Sequence, residues 1–136
     1  MSVEENKALV RRFLDEVYNK GNYAVADELV APEYASHNEL SIEVLGPQGI
    51  KRAALLQRTA FPDIVTTIDD LVAEDDKVTV RGHDEGTHMG PFMGRPATGL
   101  RFSITWIDIF RIHNGKLVEA WLEMNVESFR KQLGAP

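Results

Sequence analysis

Cysteine is absent from the 136 residues of this chain. Its absence excludes a disulfide framework, a zinc–thiolate site and a thiol nucleophile. No window approaches the ~18 consecutive apolar residues of a membrane-spanning helix, so we expect no membrane partner. The first residues are acidic before any apolar run and carry no signal-cleavage pattern, so we expect a cytoplasmic protein.

Basic residues are outnumbered among the charged side chains. Fifteen Lys and Arg stand against 21 Asp and Glu, which gives a net charge of −6. This balance repels phosphate backbones, so we expect no nucleic-acid partner. The length fits a single domain over residues 1–136, and the 43% hydrophobic content is enough to build a core.

Motifs of cofactor-dependent enzymes are missing as well. There is no H-x-H or H-E-x-x-H pattern and no carboxylate cluster with metal-ligand spacing, so we predict no metal. No glycine-rich turn follows a strand and opens a helix, which argues against a nucleotide site. A G-x-S-x-G nucleophile motif is also absent. We therefore expect no cofactor.

The first half of the chain has helical periodicity and the second half has strands. A capping box at Ser2-x-x-Glu5 predicts the first of three helices, residues 23–30 predict the second, and Gly46-Pro47 opens the third. The predicted strands are 64–72, 77–88, 100–112 and 117–126. Helices followed by strands with short turns indicate an α+β domain, with the helices packed on one face of an antiparallel sheet.

The hairpin at Asn114-Gly115 decides which side chains face the helices. A two-residue turn would place Asp108 opposite Trp121, and a three-residue loop would place it opposite Ala120. We prefer the second register because it makes one face of the sheet almost wholly apolar. Asp108 is then a lone carboxylate on the covered face, where burial would raise its pKa and suit it to acid/base catalysis.

Three further residues could serve the same site. His88 shares strand parity with Val78 and Val80, so it is a candidate polarising partner for Asp108. For an isolated histidine, a hydrogen-bonded core position is the more common role. Tyr34 and His37 lie where the helical half meets the first extended segment and could line a pocket mouth, although His37 fits a surface loop equally well.

Several motifs together resemble one family. They are the segment from Gly86 to Gly94 (GTHMGPFMG) with Pro96-Ala97-Thr98-Gly99, Ala60-Phe61-Pro62-Asp63, Asn114-Gly115-Lys116 and Glu119-Ala120-Trp121. The chain resembles the SnoaL-like polyketide cyclases, or ester cyclases, of the nuclear transport factor two-like superfamily. The resemblance implies a cystatin-like, cone-shaped α+β barrel, in which three N-terminal helices pack on a curved, mainly antiparallel sheet. It also implies cofactor-free acid/base chemistry in a pocket. Strand parity and this resemblance predict a pocket lined by Tyr34, His37, Phe102, Trp106, Phe110, Leu122 and Met124.

The chain departs from the family pattern at the catalytic position. Counted without gaps from the hairpin, the catalytic aspartate of the cyclases falls at Leu122, and their assisting histidine falls at Asp108. Glu123 is the nearest alternative acid, usable only if the strand is shifted or bulged. We therefore expect an acid/base enzyme of the cyclase, isomerase or lyase type that acts on an apolar, carbonyl-bearing small molecule through Asp108 and His88. The alternative is a non-catalytic small-molecule binding protein on the same fold.

The other face of the sheet carries an apolar patch. Ile107, Ile109 and Trp121 lie there among charged and hydroxyl side chains, which is the composition of an interface core with a polar rim. We expect a homodimer through this outer face. The alternative is a monomer in which residues 129–133 fold back over the patch.

Overall fold

The computed structural model describes residues 2–40 and 42–135, which form helices packed against one six-stranded sheet. The helices are α1 (Val3–Phe13), a π-helical continuation of it (Leu14–Asn19), α2 (Val25–Leu29), α3 (Gly46–Ala60) and α4 (Val126–Gln132). The strands are β1 (Val30–His37), β2 (Val44–Leu45), β3 (Val65–Glu74), β4 (Lys77–Thr87), β5 (Arg101–His113) and β6 (Lys116–Met124). No helix in these ranges is long and apolar enough to cross a membrane.

The first helix begins where the sequence predicts it. Ser2 and Glu5 form the reciprocal capping box, each side chain bonding the backbone N–H of the other residue. At its other end the helix widens into the π-helical turn, which keeps Leu14 and Val17 buried. Asn19 closes this turn by bonding both the N–H and the carbonyl of Thr66, and so ties the helical layer to β3.

The prediction of three N-terminal helices slightly overstates the helical content of this region. The second is only five residues long, and β1 begins at Val30, directly after it. The sequence analysis also missed α4, because strand 117–126 was extended too far. Asn125 ends that strand and caps the helix, its side-chain oxygen accepting from the Ser128 N–H at 2.9 Å.

The strand order is β2-β1-β6-β5-β4-β3, and the sheet is mainly antiparallel as predicted. The exception is the parallel pair of β1 with β6. The largest buried cluster joins α1, α2 and α3 to the inner face of the sheet. A second cluster packs Phe61, Phe102 and Phe129 together, with ring centroids 4.8 and 5.2 Å apart for the two pairs made by Phe102. Since α4 therefore lies against the inner side, the alternative that residues 129–133 cover the outer patch is wrong.

The β5–β6 hairpin combines a short turn with a bulge. His113 pairs with Lys116 across a two-residue turn in which Asn114 and Gly115 have φ of 51° and 72°. The three-residue loop that we preferred is therefore wrong. The register then shifts by one residue at Val118, so that Asp108 pairs with Leu122. The bulge restores the face assignment, because it puts Asp108, Ala120 and Leu122 on the same side.

Candidate functional site

A cavity of about 180 Å³ lies between the helices and the inner face of the sheet. Six of the seven residues expected in a pocket line it: Tyr34, Phe102, Trp106, Phe110, Leu122 and Met124. Side chains alternate along a strand, so the even-numbered residues in this part of β5 and β6 point inward. The four predicted residues after Phe102 that line the cavity in this way are Trp106, Phe110, Leu122 and Met124. The walls are mostly aromatic and aliphatic, which suits an apolar ligand.

Asp108 is the carboxyl group in the middle of this wall. It lines the cavity beside Trp106 and Phe110, and it lies directly opposite Leu122 on β6. Burial raises the pKa of Asp108 well above its ordinary value, and only the Ile109 backbone N–H opposes the shift. The Oδ1 atom is buried and has no hydrogen-bond partner in residues 2–40 and 42–135. An ionised carboxylate with a single backbone donor is costly to bury, so the Asp108 proton is harder to remove than that of an ordinary carboxyl group.

Two tyrosine hydroxyls share the cavity with Asp108. Tyr18 and Tyr34 both line it, and Tyr34 is 3% exposed. Burial is the main cause that raises the pKa of each phenol, and the charge of Asp108 adds to it. Both groups therefore remain protonated hydrogen-bond donors near neutral pH.

A second carboxyl group, Asp84, was missed by the sequence analysis. It lines the same cavity from β4 and accepts a hydrogen bond from the Trp106 indole Nε1 at 3.0 Å. Burial raises the pKa of Asp84, while the Trp106 and Thr66 donors lower it. The signal was available, because Asp84 has the same strand parity as Val78 and Val80.

His88 lies outside the cavity wall. Strand β4 ends at Thr87, so the parity argument does not extend to the next residue. The His88 ring is 1% exposed, its Nδ1 atom is 3.0 Å from Thr98 Oγ1, and its centroid is 5.7 Å from that of Phe61. The backbone N–H of His88 donates to the Leu100 carbonyl, so the residue holds the base of the loop between β4 and β5. The structure does not bring it to Asp108.

His37 and Glu123 also lie away from the cavity. The His37 Nε2 atom is 2.8 Å from Glu119 Oε2, and its ring stacks on Trp121 with centroids 5.7 Å apart. Glu123 is exposed and pairs with Ile107, so it shares the outer face. The bulge at Val118 is what turns Glu123 outward and Leu122 inward. Among the residues described here, no group of three or more His, Asp or Glu side chains could hold a metal ion.

The cavity, the sheet order and the motifs can now be compared with known proteins. The sequence model of the family described as SnoaL-like polyketide cyclase matches residues 8–133. The chain belongs to the SnoaL-like polyketide cyclase family. Its fold class, a nuclear transport factor two-like α+β fold, is that of the solved structures in this family.

Three proteins similar to this SnoaL-like chain come from Streptomyces. It is 31% identical over 132 residues to aklanonic acid methyl ester cyclase DauD of Streptomyces sp. (strain C5), covering 94% of this chain and 81% of that protein. The identity to aklanonic acid methyl ester cyclase DnrD of Streptomyces peucetius is also 31%, over 94% and 90% of the two chains. The structure of TsrD from Streptomyces laurentii superposes with a TM-score of 0.89 at 35% identity, over 100% and 99% of the chains.

The family membership sharpens the meaning of the Asp108–Leu122 pair. The position that the resemblance assigns to the catalytic aspartate holds Leu122, and the position that it assigns to the assisting histidine holds Asp108. These two residues are direct cross-strand partners on the inner face. The chain thus keeps one carboxyl group in this part of the wall, on β5 instead of β6.

Proposed function

We propose that this SnoaL-like protein is a cofactor-independent acid/base enzyme of the polyketide or ester cyclase, isomerase or lyase type, and that it acts on an apolar, carbonyl-bearing small molecule. The observation that carries the proposal is the Asp108 carboxyl, which lines a mostly apolar cavity and whose buried Oδ1 atom has no hydrogen-bond partner in residues 2–40 and 42–135. Burial raises its pKa well above the ordinary value, and a carboxyl group with a raised pKa is suited to both accepting and donating a proton.

In an aldol-type ring closure, ionised Asp108 would take the proton of an acidified C–H group, and the electron pair of that bond would become the enolate. The enolate carbon then forms a C–C bond to a second carbonyl, whose π electrons move to its oxygen. That oxygen takes the proton from Asp108, which regenerates the carboxylate. In an isomerisation, Asp108 would return the proton to a different carbon of the same substrate.

The tyrosine hydroxyls would stabilise the charge that develops on the substrate. Tyr18 and Tyr34 line the cavity with Asp108, and burial raises the pKa of both phenols so that they stay protonated. Donors that are already positioned in a mostly apolar cavity stabilise an enolate oxygen without having to reorganise during the reaction. This division of labour leaves proton transfer to Asp108.

The substrate class is supported by the cavity walls and by the relatives, which are named as cyclases of aklanonic acid methyl ester. Leu122 cannot carry a proton at the family's catalytic position. We therefore expect ring closure of aklanonic acid methyl ester by this protein to be weak or absent, and the natural substrate to be a different carbonyl compound.

The test is hydrogen–deuterium exchange at a C–H group beside a carbonyl, followed by NMR in D₂O with 1-tetralone and aklanonic acid methyl ester. Exchange detects proton abstraction even where no ring closes. We expect Asp108→Asn to slow enzyme-dependent exchange by about 10²-fold or more, the usual contribution of a general acid or base. Glu123→Gln, on the outer face of the neighbouring strand, should leave it unchanged. Equal rates for wild type and Asp108→Asn would overturn the proposal.

A non-catalytic binding protein is the second candidate, and Leu122 at the family's catalytic position favours it. Such a protein would bind 1-tetralone or the methyl ester without accelerating exchange. Binding measured by calorimetry, together with a wild-type exchange rate equal to the uncatalysed one, would support this reading and exclude the enzymatic one.

A further inference from the structure

Asp84 is a cavity carboxyl group that the proposed acid/base chemistry does not use. It lies on β4 opposite Ile104, whereas Asp108 lies four residues further along β5. Four residues of strand span roughly 13 Å, so the two carboxyl groups rise from well-separated points of the inner face. Trp106 lies between them on β5. Tyr18 is close to both carboxyl groups, and the negative charge of each one raises the pKa of the Tyr18 phenol.

The hydrogen-bond environments of the two carboxyl groups differ. Asp84 accepts from the Trp106 indole N–H at 3.0 Å, and the Thr66 hydroxyl also favours its charged form. Within residues 2–40 and 42–135, Asp108 has only the Ile109 backbone N–H as a donor, and its Oδ1 atom has no partner. Donors aimed at a carboxylate stabilise its ionised form, so Asp84 is the better acceptor and Asp108 the better neutral acid.

The contact between Trp106 and Asp84 depends on a glycine between them. Gly82 pairs with Trp106 across the strands, and a Cβ atom at this position would lie 2.6 Å from the indole ring and 2.5 Å from the Thr67 carbonyl oxygen. The missing side chain lets the indole lie across β4 and reach Asp84, two residues further along. Residues from two strands thus build this end of the cavity.

We propose that Asp84 is a substrate-anchoring residue that accepts a hydrogen bond from a phenolic or enolic hydroxyl, at the end of the substrate away from the carbonyl handled by Asp108. This inference rests on the proposed function and adds a second polar contact to it, made with a ligand that carries a hydroxyl group. The apolar walls and the Trp106 ring are suited to packing against the rest of such a ligand.

The test compares two probes that differ in one donor, 2-naphthol and 2-methylnaphthalene, by calorimetric titration at pH 7. A hydrogen bond to the Asp84 carboxyl group should make the wild type prefer 2-naphthol by about tenfold. Asp84→Asn, which keeps the size but not the charge, should reduce this preference to about twofold. Glu85→Gln, on the exposed face of the same strand, should retain the wild-type preference.

A second variant separates anchoring from a purely structural effect. Trp106→Phe keeps an aromatic ring but removes the N–H that lowers the pKa of Asp84. We expect the preference for 2-naphthol while Asp84 is ionised. As the pH is lowered, this preference should therefore disappear at a higher pH in Trp106→Phe than in the wild type. His83 and Tyr18 also titrate near Asp84 and are present in both proteins.

Three results would overturn the inference: no preference in the wild type, a full preference in Asp84→Asn, or no binding of either naphthalene. The exchange assay with Asp108→Asn keeps the two proposals apart. Selective binding of 2-naphthol without enzyme-dependent exchange would retain the anchor and reject the acid/base function. Exchange that depends on Asp108, with binding that ignores Asp84, would do the reverse.

Discussion

The inner and outer faces of β4 and β5 are built from alternating residues of the same two strands, yet they treat charge in opposite ways. On the outer face the charged groups are paired and wet: Arg81 bonds Asp70 at 2.6 Å, and His83 bonds Asp69 at 2.7 Å. On the inner face Asp84 and Asp108 have no cationic partner in the described ranges, and burial raises the pKa of both. Exposed pairs add little stability, whereas buried carboxyl groups cost stability and can do chemistry.

The largest expected effect is on packing. Phe110 is 1% exposed on the inner face, and Val72 is 61% exposed at the end of β3. We expect Phe110→Ala to lower the free energy of unfolding by about 3–5 kcal/mol, because it removes buried contacts and leaves a cavity. Val72→Ala, the matched exposed control, should stay within about 0.5 kcal/mol. Urea unfolding measures both, and similar losses would contradict the contrast between the faces.

The next effect concerns the patch on the outer face. Ile107 is 46% exposed, and Trp121 and Ile109 are half-buried beside it, so the apolar patch predicted from strand parity is present and uncovered by α4. We predict a homodimer through this patch. Trp121→Glu should bury an unpaired charge in the interface and so raise the dissociation constant of the dimer at least ~30-fold, which corresponds to about 2 kcal/mol.

Light scattering across a micromolar concentration series measures this change. Arg52→Glu, at an exposed position of α3, should leave the dimer intact. A wild-type mass of one chain at every concentration would contradict the prediction.

The smallest effect, and the sharpest comparison, is in the pH dependence of stability. Burial raises the folded-state pKa of Asp108 above its ordinary 3.8. Between these two values the folded state binds more protons than the unfolded state, so ionising Asp108 opposes folding as the pH rises. Asp108→Asn should therefore be more stable than wild type at pH 7, and the gain should vanish as the pH falls below the unfolded value.

Asp63 provides a control of opposite sign. Hydrogen bonds from Thr87 lower its pKa below 3.8, so its contribution is present above that value and is lost as the pH falls through the folded pKa. Asp63→Asn should then be less stable than wild type at pH 7 and converge with it in acid. Thermal unfolding from pH 3 to pH 8 measures both curves. Parallel curves for the two variants would contradict the assignment of Asp108 as a buried, unpartnered acid.

Strand parity and turn residues predicted much of this fold because they act locally. The alternation around Trp106 and Phe110 predicts an inner face, and Asn114-Gly115 predicts the hairpin. The bulge at Val118 has no such local signal. It could not be read from the sequence, and the correct face of Asp108 followed from a register argument whose turn was wrong. The cyclase resemblance, by contrast, came from motifs rather than from physical derivation.

The site was predicted less completely than the fold, for three physical reasons. His88 follows the end of β4, where alternation no longer decides direction. His37 lies on a strand whose parallel pairing with β6 joins distant parts of the chain. Asp84 obeys the parity rule but looks like any surface acid until the indole of Trp106 is seen to reach across Gly82. Strand parity identifies which side chains face inward, and the contacts in the structure are needed to show which groups each of them binds.

The parallel pairing of β1 with β6 also constrains the order in which the molecule can assemble during synthesis. Strand β1 leaves the ribosome early, but one of its two neighbours in the sheet, β6, is the last strand of the chain. The inner edge of β1 therefore has no partner strand until the β5–β6 hairpin emerges. Forming such long-range contacts slows folding and leaves apolar surfaces exposed in the meantime. We expect nascent chains truncated before Lys116 to bind chaperones and full-length chains to release them.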